Sequence, residues 1–246
     1  MCVIAICNSK RIKKAEFFES FRCNSDGCGM AWSTKNNNKY VKGIMKVEEA
    51  WEQYNQLIPE KHFPHIVHFR IGAPVIPELT HPFIISEESE LLLNYEGKNT
   101  LLFHNGVISN WKQYLLPTFM SIRNIPEGAW SDTRMVAIIL NMIGEKALGY
   151  IDGKFVTFNN NDISITGTWE KEDDGITWSN VSYKPVIRAM HKYDVNTWRN
   201  QDMFKTRFEE ETTKENQDTL EHKASILDYG HFDNIQELGK SLEFIV

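Results

Sequence analysis

The sequence predicts an α+β protein built on antiparallel sheets, with its helices segregated from the strands. Strand-like segments open the chain, helical periodicity occupies its middle, and strand-like segments return after residue 154. That order is not the regular strand–helix alternation of a parallel sheet. The chain has 246 residues, 41% of them hydrophobic and 24% charged, which is enough to bury one sizeable core.

The elements follow in order. Val3 to Cys7 are apolar and rich in β-branched residues, and read as a short buried strand. Asn24-Ser25-Asp26-Gly27 is turn chemistry. Strands are predicted over 28–34 and 40–45, joined by the polar turn 35–39. Val47, Ala50, Trp51, Tyr54, Leu57 and Ile58 recur at helical spacing, so 47–58 is an amphipathic helix that Pro59 stops. A strand over 65–71 precedes a loop punctuated by proline. The segments 91–95 and 101–108 read as a hairpin around the turn 96–99. One helix is expected over 111–120, interrupted by Pro117. A second begins at the cap Ser131-Asp132 and runs through 143 to the stop at Gly144. Strands over 154–158, 163–169 and 176–181 close the pattern, the last two flanking an acidic turn over 170–175. These segments make one domain, 2–185. The remainder, 186–246, reads as a charged extension, helical or partly mobile, with 205–224 densely charged and poor in apolar residues.

Composition excludes several roles. A net charge of −6 argues against a nucleic-acid footprint, which carries a basic patch. No apolar run approaches the ~18 residues of a membrane span. The N-terminus is apolar first and basic afterwards, the reverse of a secretory signal, so cytoplasmic residence is the expectation. The four cysteines, Cys2, Cys7, Cys23 and Cys28, all lie at one end, whereas a secreted disulfide framework would staple more of the chain.

That crowding leaves two readings open. One is four thiolates around a structural zinc, as Cys2-x4-Cys7 and Cys23-x4-Cys28. Against it, residues five apart on a strand face opposite sides. The other makes Cys2 a nucleophile. Methionine aminopeptidases remove Met1 when the next side chain is small, leaving a thiol and a free α-amine on one residue. An α-amine has a reference pKa of ~7.7–8.0 and can take the thiol proton directly or through one water. Nucleophile and base are then preassembled, as in an N-terminal Thr enzyme.

Further segments accompany Cys2 in a fixed order. They are Asp26-Gly27-Cys28-Gly29, His68-Phe69-Arg70, His81-Pro82, His104-Asn105-Gly106-Val107-Ile108-Ser109-Asn110 and Ser131-Asp132-Thr133. With Met1-Cys2 this series resembles the class II glutamine amidotransferases, N-terminal-nucleophile hydrolases with an N-terminal Cys, over residues 1–183. Each triplet is a weak signal, and their joint occurrence in order is a strong one. Trp178-Ser179-Asn180 and the D-G-x-G turn bring the pattern closer to stand-alone amidotransferase-like proteins than to the large synthases.

The resemblance implies a four-layer αββα sandwich of two antiparallel sheets between helices. It implies Cys2 as nucleophile, with Asn105 and Gly106 as oxyanion donors through a side-chain amide and a backbone N–H. Arg70 would grip a substrate α-carboxylate with its guanidinium fork, and Asp132 would take the α-ammonium. His81 joins them on the substrate side. His68, His81 and His104 hold loops, since the α-amine makes a His base unnecessary. No metal and no organic cofactor is expected. The partners expected are a small amide, glutamine foremost, and a separate ammonia-accepting synthase, because 186–246 is too short and polar to house a synthase domain. Two departures stand out. Synthase members continue the H-x-R strand with Trp, Ala, Thr and His, where this chain has Ile71-Gly72-Ala73-Pro74, and Arg134 follows the S-D-T triplet where Glu is common. Hydrolysis of a different small amide, and an idle binding module of the same fold, remain as alternatives.

Overall fold

The computed structural model describes residues 2–109, 111, 126–171, 175–181 and 184, all within the compact unit Met1–Pro185. The predicted extension 186–246 and all but Trp111 of the predicted helix 111–120 lie outside the described residues.

Among the described residues, eleven strands form two antiparallel sheets. The strands are β1 (Val3–Cys7), β2 (Cys28–Ser33), β3 (Asn38–Ile44), β4 (His65–Phe69), β5 (Phe83–Ile84), β6 (Asn94–Gly97), β7 (Leu101–Asn105), β8 (Lys154–Asn159), β9 (Asp162–Thr166), β10 (Glu170–Lys171) and β11 (Ile176–Trp178). The larger sheet runs β10-β11-β1-β4-β2-β3-β6 and the smaller β5-β7-β8-β9. The helices are α1 (Lys14–Cys23), α2 (Val47–Leu57) and α3 (Asp132–Ile143).

Alternation along the strands builds the layers. Val3, Ala5, Val67 and Phe69 face one way and pack with Phe17 and Phe21 of α1 and Ala50 and Tyr54 of α2. Ile4, Ile6 and Ile66 face the other way and meet Leu101, Phe103 and Val156 of the smaller sheet. The far face of that sheet, with Phe83, Leu102 and Phe155, packs on Val136, Ala137 and Leu140 of α3. The expected four-layer αββα sandwich is therefore present.

α1 is an element the periodicity did not disclose. Its apolar stripe is only Phe17 and Phe21, with the partly buried Phe18, among charged residues, and its start is tied locally by the Lys13 N–H donating to Glu16 (3.1 Å). α2 matches its prediction, and Arg11 caps its end by donating to the carbonyls of Ile58 (2.6 Å) and Tyr54 (2.9 Å). α3 begins where the cap was read, with the Ser131 hydroxyl accepting from the Arg134 N–H, and stops at Gly144, whose φ is 88°. Arg134 is buried, donating to the carbonyls of Ser89 (3.1 Å), Ala129 (2.9 Å) and Glu88 (3.1 Å), and so ties the helix start to two loops.

One predicted pairing is corrected. β6 and β7 are not a hairpin: β6 pairs with β3 at the edge of the larger sheet, while β7 sits inside the smaller one between β5 and β8. Leu101, Leu102 and Phe103 are apolar on both faces and need cover on both, whereas Asn-Tyr-Glu-Gly is half polar and suits an edge. The strands predicted around an acidic turn belong to different sheets. β9 pairs with β8, and Glu170–Lys171 is itself a short strand, β10, paired with β11. Among the described residues no helix is long and apolar enough to cross a membrane.

Candidate active site

The antiparallel register Val3↔Phe69 sets Cys2 beside the end of β4. There the Cys2 thiol lies 3.4 Å from the Ile71 carbonyl, to which it donates, and 3.5 Å from the Ile71 N–H. Cys2 is 9% exposed, so the sulfur is close to the surface without being open. Burial pushes its thiol pKa up, opposed by the Ile71 backbone bond and by the charge of Arg70, and Asp132 adds to the rise. The other cysteines are placed differently. Cys7 and Cys28 belong to the helix-side core, and Cys23 ends α1 beside Glu19. Among the described residues no three His, Cys, Asp or Glu side chains come together to hold a metal.

Arg70 follows β4 directly and is clasped by the Asp26-Gly27 turn. The Arg70 N–H donates to the Gly27 carbonyl (2.8 Å), and the Asp26 N–H donates to the Arg70 carbonyl (2.9 Å). The Asp26 carboxylate accepts from the Gly72 N–H (2.8 Å), fixing the loop beyond. Gly27 sits at φ 118°, and a Cβ there would fall 2.5 Å from the Thr80 methyl, so both conformation and space demand glycine. Arg70 is 6% exposed, yet its Nη1 has no hydrogen-bond partner among the described residues. Burial lowers the guanidinium pKa, while Cys2, Asp26 and Asp132 act to raise it, which marks these groups as neighbours.

Asn105 ends β7 and is 3% exposed. Its Nδ2 donates to the Ser179 hydroxyl (2.8 Å), and among the described residues the second amide hydrogen and Oδ1 have no partner. Gly106 comes next. A Cβ on it would lie 2.6 Å from Nε2 of His104, so the residue must be glycine for His104 to fit. The predicted oxyanion pair is thus adjacent, with a packing reason for the glycine.

Asp132 stands at the first turn of α3. Its Oδ2 accepts from the Ile108 N–H (3.0 Å), and its Oδ1 accepts from the Thr133 N–H (2.7 Å) and hydroxyl (3.2 Å). Because the Thr133 hydroxyl donates to the carboxylate, it accepts from both His104 Nδ1 (3.0 Å) and His81 Nε2 (3.2 Å). His68 Nε2 donates to the His104 carbonyl (3.1 Å), joining β4 to β7. The His81 ring lies against His68 with centroids 4.0 Å apart and planes tilted by 32°, and it reaches Asp132 through Thr133. Burial lowers all three imidazole pKa values, His68 to about 3, and holds the rings neutral near pH 7. None of them is a charged base.

Three residues at the site escaped functional reading in the sequence. Ser179 and Asn180 follow β11, and Asn180 Nδ2 donates to the Cys2 carbonyl (2.7 Å). Thr133 was visible only as part of a triplet. The signal for the first two was Trp178-Ser179-Asn180 itself, which carried no role until the pairing of β11 with β1 brought it to Cys2.

No family model and no curated protein sequence matches the chain. Solved structures do. A glutamine phosphoribosylpyrophosphate amidotransferase from B. subtilis, complexed with ADP and GMP, is 17% identical with a TM-score of 0.53 over 73% of this chain and 42% of that one. A structure described as the allosteric regulatory enzyme of purine biosynthesis is 16% identical with a TM-score of 0.52, again over 73% and 42%. The chain therefore spans less than half the length of either protein. What it shares with them is the fold, two antiparallel sheets between helical layers in the N-terminal-nucleophile-hydrolase arrangement.

Proposed function

We propose that this chain is a glutamine amidotransferase-like hydrolase that uses Cys2, exposed by removal of Met1, to cleave a small amide. The observation that carries the reading is a buried cation, Arg70, whose Nη1 has no partner among the described residues, beside a thiol and a carboxylate, Cys2 and Asp132. A guanidinium and a carboxylate around one nucleophile match the α-carboxylate and α-ammonium of an amino acid whose side-chain amide meets the sulfur.

In this mechanism the α-amine of Cys2 takes the thiol proton as sulfur attacks the amide carbon. Asn105 Nδ2 and the Gly106 N–H receive the developing oxyanion. The ammonium form returns the proton to the departing nitrogen, ammonia leaves, and a γ-glutamyl thioester remains. Water, deprotonated by the same amine, hydrolyses the thioester and restores the thiol. Ammonia passes to solvent or to a separate synthase, and 2–185 is the catalytic domain.

Ile71 and Val75 favour a second substrate reading. They are 44% and 49% exposed on the loop that lacks the synthase residues, and give that loop an apolar lip. Such a lip suits a γ-glutamyl amide of an apolar amine. Ammonia or amine release across a panel of such amides, glutamine included, separates the two. Intact-mass analysis after treatment with a glutamine-mimicking diazoketone tests the shared step. One added label on Cys2 with Met1 absent supports it. An unlabelled chain that turns over nothing leaves the idle module instead.

Arg70→Lys is expected to raise KM for glutamine by about 10–100-fold while kcat changes little. It keeps the charge but loses one of two charge-assisted hydrogen bonds, each worth ~1.5–3 kcal/mol. An unchanged KM would leave Arg70 a purely structural role.

A further inference from the structure

We propose that Ser179 is a positioning residue that aims the oxyanion donor Asn105 and, with Asn180, clasps it to the nucleophile's strand; this rests on the hydrolase reading above. β11 pairs with β1 through Ala5↔Trp178, so Ser179 falls opposite Ile4. Half of the expected ladder bond pair is ordinary, with the Ser179 N–H donating to the Ile4 carbonyl (2.9 Å). The return bond is not. The Ile4 N–H donates to the Ser179 hydroxyl (2.8 Å), while the Ser179 carbonyl instead accepts from Nζ of Lys154. Lys154 stands opposite Asn105 in the β7–β8 register.

Ser179 therefore closes the ladder of the larger sheet with its side chain and offers its backbone to the smaller one. The same hydroxyl accepts from Asn105 Nδ2 (2.8 Å), filling its second acceptor position. Ser179 is fully buried, so water cannot substitute for the lost oxygen if it is removed. One residue later, Asn180 Nδ2 holds the Cys2 carbonyl (2.7 Å). Two consecutive side chains thus bind the residue bearing the sulfur and the side chain bearing the oxyanion donor, which come from opposite sheets. In the assigned orientation the Asn105 amide turns its Nδ2 toward the Ser179 hydroxyl. One N–H is held by the hydroxyl, and the other is left to point at an incoming oxygen. A donor off its mark by a fraction of an ångström loses much of its effect on the transition state.

The experiment compares wild type, Ser179→Ala, Ser179→Thr, Asn105→Ala and the double variant Ser179→Ala/Asn105→Ala. It measures kcat and KM for the best amide of the panel, and the rate at which the diazoketone alkylates Cys2. Ser179→Ala should lower kcat about 10–100-fold with KM within about twofold and alkylation nearly unchanged, because the thiol itself is untouched. Ser179→Thr, which keeps the hydroxyl, should recover most of kcat. The double variant should be no slower than Asn105→Ala alone, since Ser179 acts through Asn105. Losses that multiply in the double variant, or equal damage from Ala and Thr, would overturn the positioning role while leaving the hydrolase reading intact. A wild-type chain that neither turns over an amide nor takes the label overturns both.

Discussion

Cys2→Ala is expected to reduce turnover on the order of 10⁶-fold, the scale on which a hydrolase loses rate when its nucleophile is removed. The fold should hardly notice. The sulfur's described hydrogen bonds are the long ones to Ile71, and the residue sits at the rim of the sandwich, so the substitution costs about 1 kcal/mol. Binding should also survive, because Arg70 and Asp132 remain, and titration calorimetry with glutamine checks this directly. The reason for so large an effect lies in the proton inventory. The three buried histidines are neutral and committed to one another, to Thr133 and to a backbone carbonyl. Burial raises the Cys2 thiol, so it waits protonated at neutral pH. A base is needed at the sulfur, and the α-amine freed by loss of Met1 is the base carried on the same residue. Activity should therefore rise with pH as that amine loses its proton, near ~8. Full activity from a chain shown by Edman degradation to begin with methionine would sink the mechanism, since an amide nitrogen at Cys2 is not a base.

Much of this was legible in the sequence, and the part that was not has physical causes. β1, β4 and α3 could be read locally because an apolar run, a serine cap and a glycine stop each act within a few residues. Cys2, Arg70, Asn105 and Asp132 were singled out as candidates because their order resembles a known series. What failed was pairing. The segments at β6 and β7 look like a hairpin to any local rule, yet the sandwich sends one to each sheet, because Phe103 needs cover on a face that Tyr95 can leave half open. α1 was missed because two phenylalanines four residues apart are a thin stripe, and its stability comes from Trp51, Tyr54 and Phe69 packed on Phe17. Ser179 escaped for the same reason as β6. Its meaning depends on which strand lies beside it, and neither spacing nor residue type reports that.

The companion prediction is that Asn105→Ala loses about 10²–10³ in kcat with KM little changed. The oxyanion exists only as sulfur adds to carbon, so its donor contributes to the transition state and not to the bound substrate. Stability should fall by less than a buried asparagine usually costs. Truncation removes an Oδ1 that has no partner among the described residues, and the Ser179 hydroxyl keeps its bond from the Ile4 N–H. A rate loss in a chain that melts near the wild-type temperature then cannot be assigned to unfolding. The rival reading is that Asn105-Gly106 is only a turn, and Asn105→Asp separates the two. Aspartate is an ordinary replacement for asparagine in a turn, where either side chain can bond the backbone. At an oxyanion it is the worst choice, because it offers a negative oxygen where a second negative oxygen must form. The expected order of kcat is wild type, then Asn105→Ala, then Asn105→Asp well below it. An aspartate variant as active as wild type would remove Asn105 from the chemistry and leave Ser179 holding nothing but a turn.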